Sequence, residues 1–421
     1  MTLKGSSPAI MLCMIVFTGA LGQDTVQQII PGRTNSITQQ QKPYVILISS
    51  DGFRADMAEK YQAQNLLRFK QQGVSAPYML PSFPSLTFPN HYSIVTGLYP
   101  AHHGLVDNSF YDTSRRARYS MSNKNAVGDS SWYAGTPLWV LAEKQQMLSA
   151  SFYWVASEAA IQGVRPTYYY TYNEKIDIDT RVEILKDWLQ LPEDKRPHFI
   201  TFYLPEPDHV EHSFGPESVQ AKEAVLGVDS AIGKLVKAVD ALKLPVNYIF
   251  LSDHGMTTVD TINTIPFPKA IDTTKFYVPN GDVLVHLYAK DRTSILPTYH
   301  ALKQEAVDYD VYLAENIPSR WHYSRSNDRF NRVGDMIMIP KHPRVFRFGT
   351  NRVTPGKHGL DPAFKDMHAT FIAWGPAFKN GKTVKPFENV NVYPLITEIL
   401  GLQYDPSTID GKLKPVKRML K

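Results

Sequence analysis

A chain of 421 residues, 43% of them hydrophobic and 20% charged, can bury a large core and is far too apolar to stay disordered. Its 45 basic and 40 acidic residues leave a formal charge of +5. The two signs are interspersed without long basic runs, which suits an anionic small molecule and gives no sign of sequence-specific nucleic-acid binding. A single cysteine, Cys13, excludes an intramolecular disulfide framework.

Lys4 and the apolar run AIMLCMIVFTGALG (residues 9–22) read as an export signal. The run is too short to span a bilayer. Ala20-Leu21-Gly22 fits the small-x-small cleavage rule, so residues 1–22 are expected to leave, and Cys13 with them. No transmembrane segment is expected afterwards. The thiol-free remainder contains no Asn-x-Ser/Thr sequon, and both features favour a bacterial periplasm, with secretion as the alternative. Residues 23–42 are polar and read as a flexible leader.

The catalytic domain is expected over 43–405. PYVILIS (43–49) is a nearly continuous apolar run ending in Ser50-Asp51-Gly52, the pattern of a central parallel strand. NLLRFKQQG (65–73) reads as a helix closed by glycine. TPLWVLAEKQ (136–145) predicts a helix and SASFYWV (149–155) a strand. RVEILKDWLQ (181–190) is amphipathic and helical, and HFITFYLPE (198–206) is another buried strand. A long helix follows over 218–243, with apolar residues at Val219, Ala224, Val228, Ala231, Leu235 and Val239. VNYIFLSDHG (246–255) and HATFIAWG (368–375) are further strands, and VYPLITEILG (392–401) closes the domain as a helix, leaving a tail at 406–421. Residues 256–352 break this rhythm with prolines, a strand pair (DVLVHLYAK, DMIMIPK) and a helix (SILPTYHALKQEA), and read as an inserted subdomain. The alternation predicts an α/β fold with a mostly parallel sheet.

Ligands in such sheets bind beyond the carboxyl ends of the strands. Asp51, Asp208 and the Asp253-His254 pair all fall there. Asp208 and His212 are four residues apart and share a face on a helical turn. His358 sits in the loop Gly356-Lys357-His358-Gly359. Singly, each has a plainer explanation as a cap, a turn residue or a surface pair. Jointly, three carboxylates and three imidazoles divide into two three-residue sets for a borderline divalent ion such as zinc. Two such ions about 4 Å apart clamp the attacking and leaving oxygens of phosphoryl transfer. PSFPSLTFPNH (81–91) supplies a nucleophile. Pro89 is placed where a helix would begin, so Thr87 is expected just ahead of an electropositive helix end.

The motifs SSDGFRADM, PSLTFPNHYSIVTGLYPAHHGLVDNSFYD, WYAGTPLWV, FYLPEPDHVEHSFGP, LSDHGM and GKHGLDPAFKDMHATFIAWGPAF together resemble the nucleotide pyrophosphatase/phosphodiesterase family of the alkaline phosphatase superfamily, in its bacterial form. The resemblance implies an alkaline-phosphatase-like three-layer sandwich. It implies one zinc on Asp208, His212 and His358, and a second on Asp51, Asp253 and His254, approached by Thr87. Asn108 would donate to a phosphate oxygen beside the Phe88 N–H. Phe88 and Tyr203 would sandwich a nucleobase, with Trp154 in the same pocket wall. Two departures stand out. Glu211 precedes His212 where many relatives carry glycine, and Trp154–Glu158 replaces a Pro-Gly turn.

The implied activity is zinc-dependent hydrolysis of nucleotide pyrophosphates and phosphodiesters through a threonine-linked intermediate, releasing nucleoside 5′-monophosphates. A related phosphomonoesterase, phosphonoacetate hydrolase or phospholipid-headgroup hydrolase is the alternative. A sulfatase would need a modified cysteine or serine at Thr87, and intact ligands argue against an idle binding protein. Oligomeric state is not readable from the sequence.

Overall fold

The computed structural model describes residues 25–279, 281–350 and 352–421. The expected export signal and Cys13 lie outside them. The frame is set by β1 (Tyr44–Ser50), α1 (Gln64–Gln72), α2 (Thr87–Thr96), β2 (Ser149–Phe152), α3 (Ile178–Gln190), β3 (Phe199–Leu204), α4 (Asp208–Phe214), α5 (Val219–Asp240), β4 (Val246–Leu251), β5 (Phe371–Trp374) and α6 (Val392–Leu400).

The strands β2, β3, β1 and β4 run parallel, side by side, at the centre of a nine-stranded sheet. β5 joins β4 antiparallel, which makes the sheet mixed but mostly parallel. Every residue of β1, β3 and β4 is buried. Alternation along a strand sends successive side chains to opposite faces. Val45, Leu47, Phe199, Ile249 and Leu251 therefore pack into one apolar layer with α2 and α6. Tyr44, Ile46, Ile48, Ile200, Phe202 and Phe250 pack into the other, with α1, α3 and α5. The continuous apolar runs of the sequence are what two-sided burial requires. In α5, Val219 is exposed and Ala221, Val225 and Ile232 take core positions.

The insert has its own four-stranded sheet, which includes the expected antiparallel pair Val285–Ala289 and Met336–Pro340. Its small core gathers Phe276, Leu287, Leu302, Val311 and Met338. Ile317, Trp321, Tyr323 and Val333 belong instead to the main core.

Two segments are more firmly held than their sequences imply. The leader is not loose over its described part: Gln28–Ile29 pairs with Tyr168–Tyr170 at the sheet edge. Asn35, buried, donates to the carbonyls of Glu193 and Arg196 at 2.8 and 2.7 Å and accepts from Leu148 N–H at 2.7 Å. The C-terminal segment is likewise docked, with Val416 and Met419 fully buried. Asp410 accepts from Tyr99 N–H at 2.9 Å and meets His102 Nδ1 at 2.7 Å.

Burial works against the charge of Asp410, but His102 and the Tyr99 N–H outweigh it and hold the carboxyl below its usual range. A depressed folded value means stability that is present above the unfolded value of about 3.9 and lost as pH falls through the folded one. Asp410→Asn is expected to cost about 1–2 kcal/mol at neutral pH. In denaturant titrations the difference from wild type should shrink as pH falls below the unfolded value of about 3.9; a difference independent of pH would remove the carboxylate from this account.

Candidate active site

Three parallel strands deliver the acidic groups to one edge. Asp51 follows β1 directly, Asp208 opens α4 after β3, and Asp253-His254 follows β4. Backbone bonds tie the ends together: Asp51 N–H donates to Leu204 O at 2.9 Å and Asp208 N–H to Asp51 O at 3.2 Å. Gly52 makes the approach possible. Its φ is +71°, and a Cβ there would lie 3.1 Å from Asp208 Cα and Cβ.

The six predicted ligands converge. His212 Nε2 lies 3.2 Å from His358 Nε2, and Asp208 is 3.5 and 3.6 Å from the two rings. His254 Nε2 lies 2.9 Å from Asp253 and 3.4 Å from Asp51. The two groups adjoin, because the His254 and His358 rings stack with centroids 3.6 Å apart.

The donor set fits divalent cations. His212 Nδ1 donates to Gly356 O at 2.8 Å, His358 Nδ1 to Ser85 O at 2.9 Å and His254 Nδ1 to Gly255 O at 3.0 Å. A carbonyl only accepts, so each imidazole carries its proton on Nδ1 and turns Nε2 to the site, the orientation a metal requires. Burial, then His254 and His212, push His358 well below its ordinary range, so its Nε2 keeps a bare lone pair. Two lone pairs facing across 3.2 Å need a shared positive charge. Asp51 Oδ1 and Asp208 Oδ1 are buried without hydrogen-bond partners among the described residues. Burial, Asp253 and Asp208 drive Asp51 well up towards its neutral form. Asp253 is held well down against burial by His254 and His91. Burial lowers His254, but Asp253 reverses this and raises it, favouring a charged ring where a cation fits.

Thr87 opens α2 rather than preceding it, and Pro89 is the third helical residue. Its hydroxyl is 3.2 Å from His254 Nε2. The preceding loop is fixed from inside by Asn90, whose amide donates to Pro84 O and Leu86 O and accepts from Ser82 N–H. His91, one turn after Thr87, sets Nδ1 3.0 Å from Thr87 O and 3.3 Å from Asp253 and Nε2 2.9 Å from Ser49 Oγ. Neither residue was singled out from the sequence. The available signal was their position: the i+3 and i+4 neighbours of Thr87 face the same side of the helix.

Asn108 Oδ1 accepts the Phe88 N–H at 3.0 Å. That N–H is therefore committed to the amide instead of standing free for phosphate, and Nδ2 is the end left to donate. A cavity of about 380 Å³ opens beside Thr87, lined by Phe88, Met121, Trp154, Glu158, Tyr172 and Tyr203 among others. Tyr203 does not offer an open face. It is only 7% exposed and its hydroxyl donates to Asp51 Oδ2 at 2.6 Å, so it orients a ligand. The accessible tyrosine is Tyr172, 40% exposed, with its hydroxyl 2.5 Å from Glu174. Trp154 forms buried wall, its indole N–H donating to His91 O at 3.1 Å. The neighbouring turn places Tyr153 and Ala156 at φ 67° and 68°, an uncommon conformation for residues other than glycine. Glu211 leaves α4 intact as a helix. Its carboxyl is buried, and burial together with Asp208 drives it up towards neutrality.

Residues 45–361 match the family pattern for type I phosphodiesterase/nucleotide pyrophosphatase. The chain is 34% identical over 401 residues to rat ectonucleotide pyrophosphatase/phosphodiesterase family member 3, covering 90% of this chain and 44% of that protein. It is 35% identical over 380 residues to the venom phosphodiesterase of Macrovipera lebetinus, covering 87% of this chain and 44% of that one. The chain thus spans under half the length of these relatives. Human ectonucleotide pyrophosphatase/phosphodiesterase 5 superposes with a TM-score of 0.84 at 27% identity, over 90% of this chain and all of that structure. The murine form, as an inactive threonine-to-alanine variant in complex with AMP, gives 0.83 at 28% identity over the same shares of the two chains. By pattern, sequence and three-dimensional likeness the chain belongs to the type I phosphodiesterase/nucleotide pyrophosphatase family.

Proposed function

We propose that the protein hydrolyses nucleotide pyrophosphate and phosphodiester bonds through Thr87, releasing nucleoside 5′-monophosphates. The reading rests on one juxtaposition: a hydroxyl at a helix N-terminus, 3.2 Å from His254 Nε2, between two Asp/His clusters and an aromatic cavity. The AMP bound by the murine relative, and the loss of activity on removal of its threonine, support it.

Two zinc ions, one on Asp208, His212 and His358 and one on Asp51, Asp253 and His254, would supply positive charge to the attacking and leaving oxygens. Thr87 Oγ1 gives up its proton to water and attacks phosphorus, forming a new P–O bond as the bond to the leaving oxygen breaks and that oxygen takes the electron pair. Asn108 Nδ2 donates to a non-bridging oxygen as charge moves onto it. The dipole of α2, whose N-terminus lies at Thr87, adds positive potential to the same place. Water then displaces Thr87 in line from the threonine ester, giving the 5′-monophosphate and restoring the hydroxyl. Two inversions give net retention at phosphorus. Phe88 and Tyr172 supply the open aromatic faces for the base, in place of the expected pairing of Phe88 with Tyr203.

p-Nitrophenyl thymidine 5′-monophosphate should be turned over far faster than p-nitrophenyl phosphate, with activity lost to chelator and restored by zinc. Dominant monoester turnover would overturn the diesterase reading. Thr87→Ala should lower kcat by at least about 10³-fold while elemental analysis still finds two zinc ions per chain; wild-type turnover by that variant would remove Thr87 from the mechanism.

The two tyrosines separate cleanly. Tyr172→Ala should raise KM for the thymidine ester about tenfold and leave bis-p-nitrophenyl phosphate hydrolysis nearly unchanged. Tyr203→Phe should instead weaken zinc retention during dialysis. The reverse pattern would return Tyr203 to the base platform.

A further inference from the structure

Asn108 is not held by its own hairpin alone. The loop Gly104–Asp112 that carries it is gripped along its length by the inserted subdomain. Tyr323 O–H donates to Val106 O at 2.5 Å. His286, 2% exposed, bridges the two segments, with Nδ1 2.8 Å from Val333 O and Nε2 3.2 Å from Asp107 Oδ2. The other oxygen of Asp107 accepts from Ser109 N–H at 2.9 Å. The Asp107 carboxylate therefore straddles Asn108, bonded to the residue after it and to the insert. Further along, Tyr288 O–H donates to Arg332 O at 2.6 Å and accepts from Tyr111 N–H at 3.3 Å. Arg332 donates to Asp112 at 2.8 Å and to the carbonyls of Gly104 and Trp132 at 2.9 and 2.8 Å, from a buried position.

This is costly hardware for an ordinary surface loop. A buried guanidinium, a buried imidazole and two buried tyrosines are all spent on one turn, and each would be destabilising if left unpaired. The turn ends in an amide whose carbonyl oxygen already docks on the nucleophile helix through Phe88 N–H. A donor aimed at a developing charge is useful only if fixed in advance, and displacement by about 1 Å can cost up to about 10²-fold in rate.

We propose that the inserted subdomain is the positioning frame for Asn108, with His286 and Tyr323 acting through Asp107 and Val106. The inference rests on Asn108 being the donor to the phosphoryl oxygen. His286 and Tyr323 are positioning residues; they do not touch the reacting atoms.

The test is a double-mutant cycle on p-nitrophenyl thymidine 5′-monophosphate, with melting temperatures measured alongside. His286→Ala should lower kcat about tenfold and move KM less than about twofold. In an Asn108→Ala background the same substitution should change kcat less than about twofold, because the group it positions is gone. His286→Gln, which keeps an N–H for Asp107, should recover part of the loss. Tyr323→Phe, a smaller change that keeps the packing, should show the same dependence on Asn108 and carries the test if His286→Ala does not fold. Equal losses in both backgrounds would make the contacts mere fold support and overturn the inference, as would an unchanged kcat in both single variants. If Asn108→Ala alone leaves kcat intact, the donor role itself fails, and the frame loses its purpose.

Discussion

Everything in this site follows from negative charge and lone pairs crowded where water cannot reach them. Asp51, Asp208 and Asp253 approach one another at the ends of three adjacent strands, and three imidazoles turn their Nε2 atoms into the same space. Such a set is unfavourable as bare protein. Without cations the conflict drives Asp51 up towards its neutral form and raises His254. On the proposed reading, two divalent ions would let every carboxylate ionise, and the position of Thr87 against His254 would become that of a nucleophile. Polypeptide and cations are thus complementary parts of one electrostatic object.

Topology makes the crowding possible. Parallel strands present all their carboxyl ends at one edge, so residues more than 200 positions apart in sequence meet there without any long loop having to find its place. That edge was legible from the sequence because strands buried on both faces read as continuous apolar runs, each ending in a polar residue. Asp51, Asp208 and the Asp253-His254 pair were legible there for the same reason, whereas His212 and His358 rested on helical spacing and on a glycine-flanked loop. The leader and the tail were not, because single buried residues within polar stretches hold them: Asn35 through three hydrogen bonds, Val416 and Met419 through complete burial. Composition averages such anchors away.

The aromatic residues show a different limit. Tyr203 stands one residue from the end of β3, close to the Asp208–His212 motif, and the family resemblance implied a substrate contact. In the sheet it pairs with Ser49 of β1, and that register carries its hydroxyl to Asp51. Tyr172, on an irregular segment with no motif, lies open to the cavity. Glu211 was legible only as an oddity. Its side chain fills the space under Gly52, where an added Cβ would sit 3.3 Å from Oε2. The departure is absorbed by packing, and α4 keeps Asp208 and His212 on one face.

The insert stands in two relations to this chemistry. Its two ends are stitched together: Thr257–Thr258 pairs antiparallel with Gly356–Lys357, directly after His254 and directly before His358. The stem is pressed onto α4 so closely that a Cβ on Gly356 would fall 2.1 Å from Glu211 O. Because the stem closes before the insert proper begins, the stacking of His254 on His358 does not depend on how long or how mobile the intervening chain is. The cradle still touches the insert, since Leu86 and Leu360 pack with Val283 and Val345. The loop of Asn108 is held more directly, by polar contacts with His286, Tyr323 and Arg332. On the proposed reading, cation binding and phosphoryl-oxygen recognition lean on the insert to different degrees, and variation within it would retune the second more than the first.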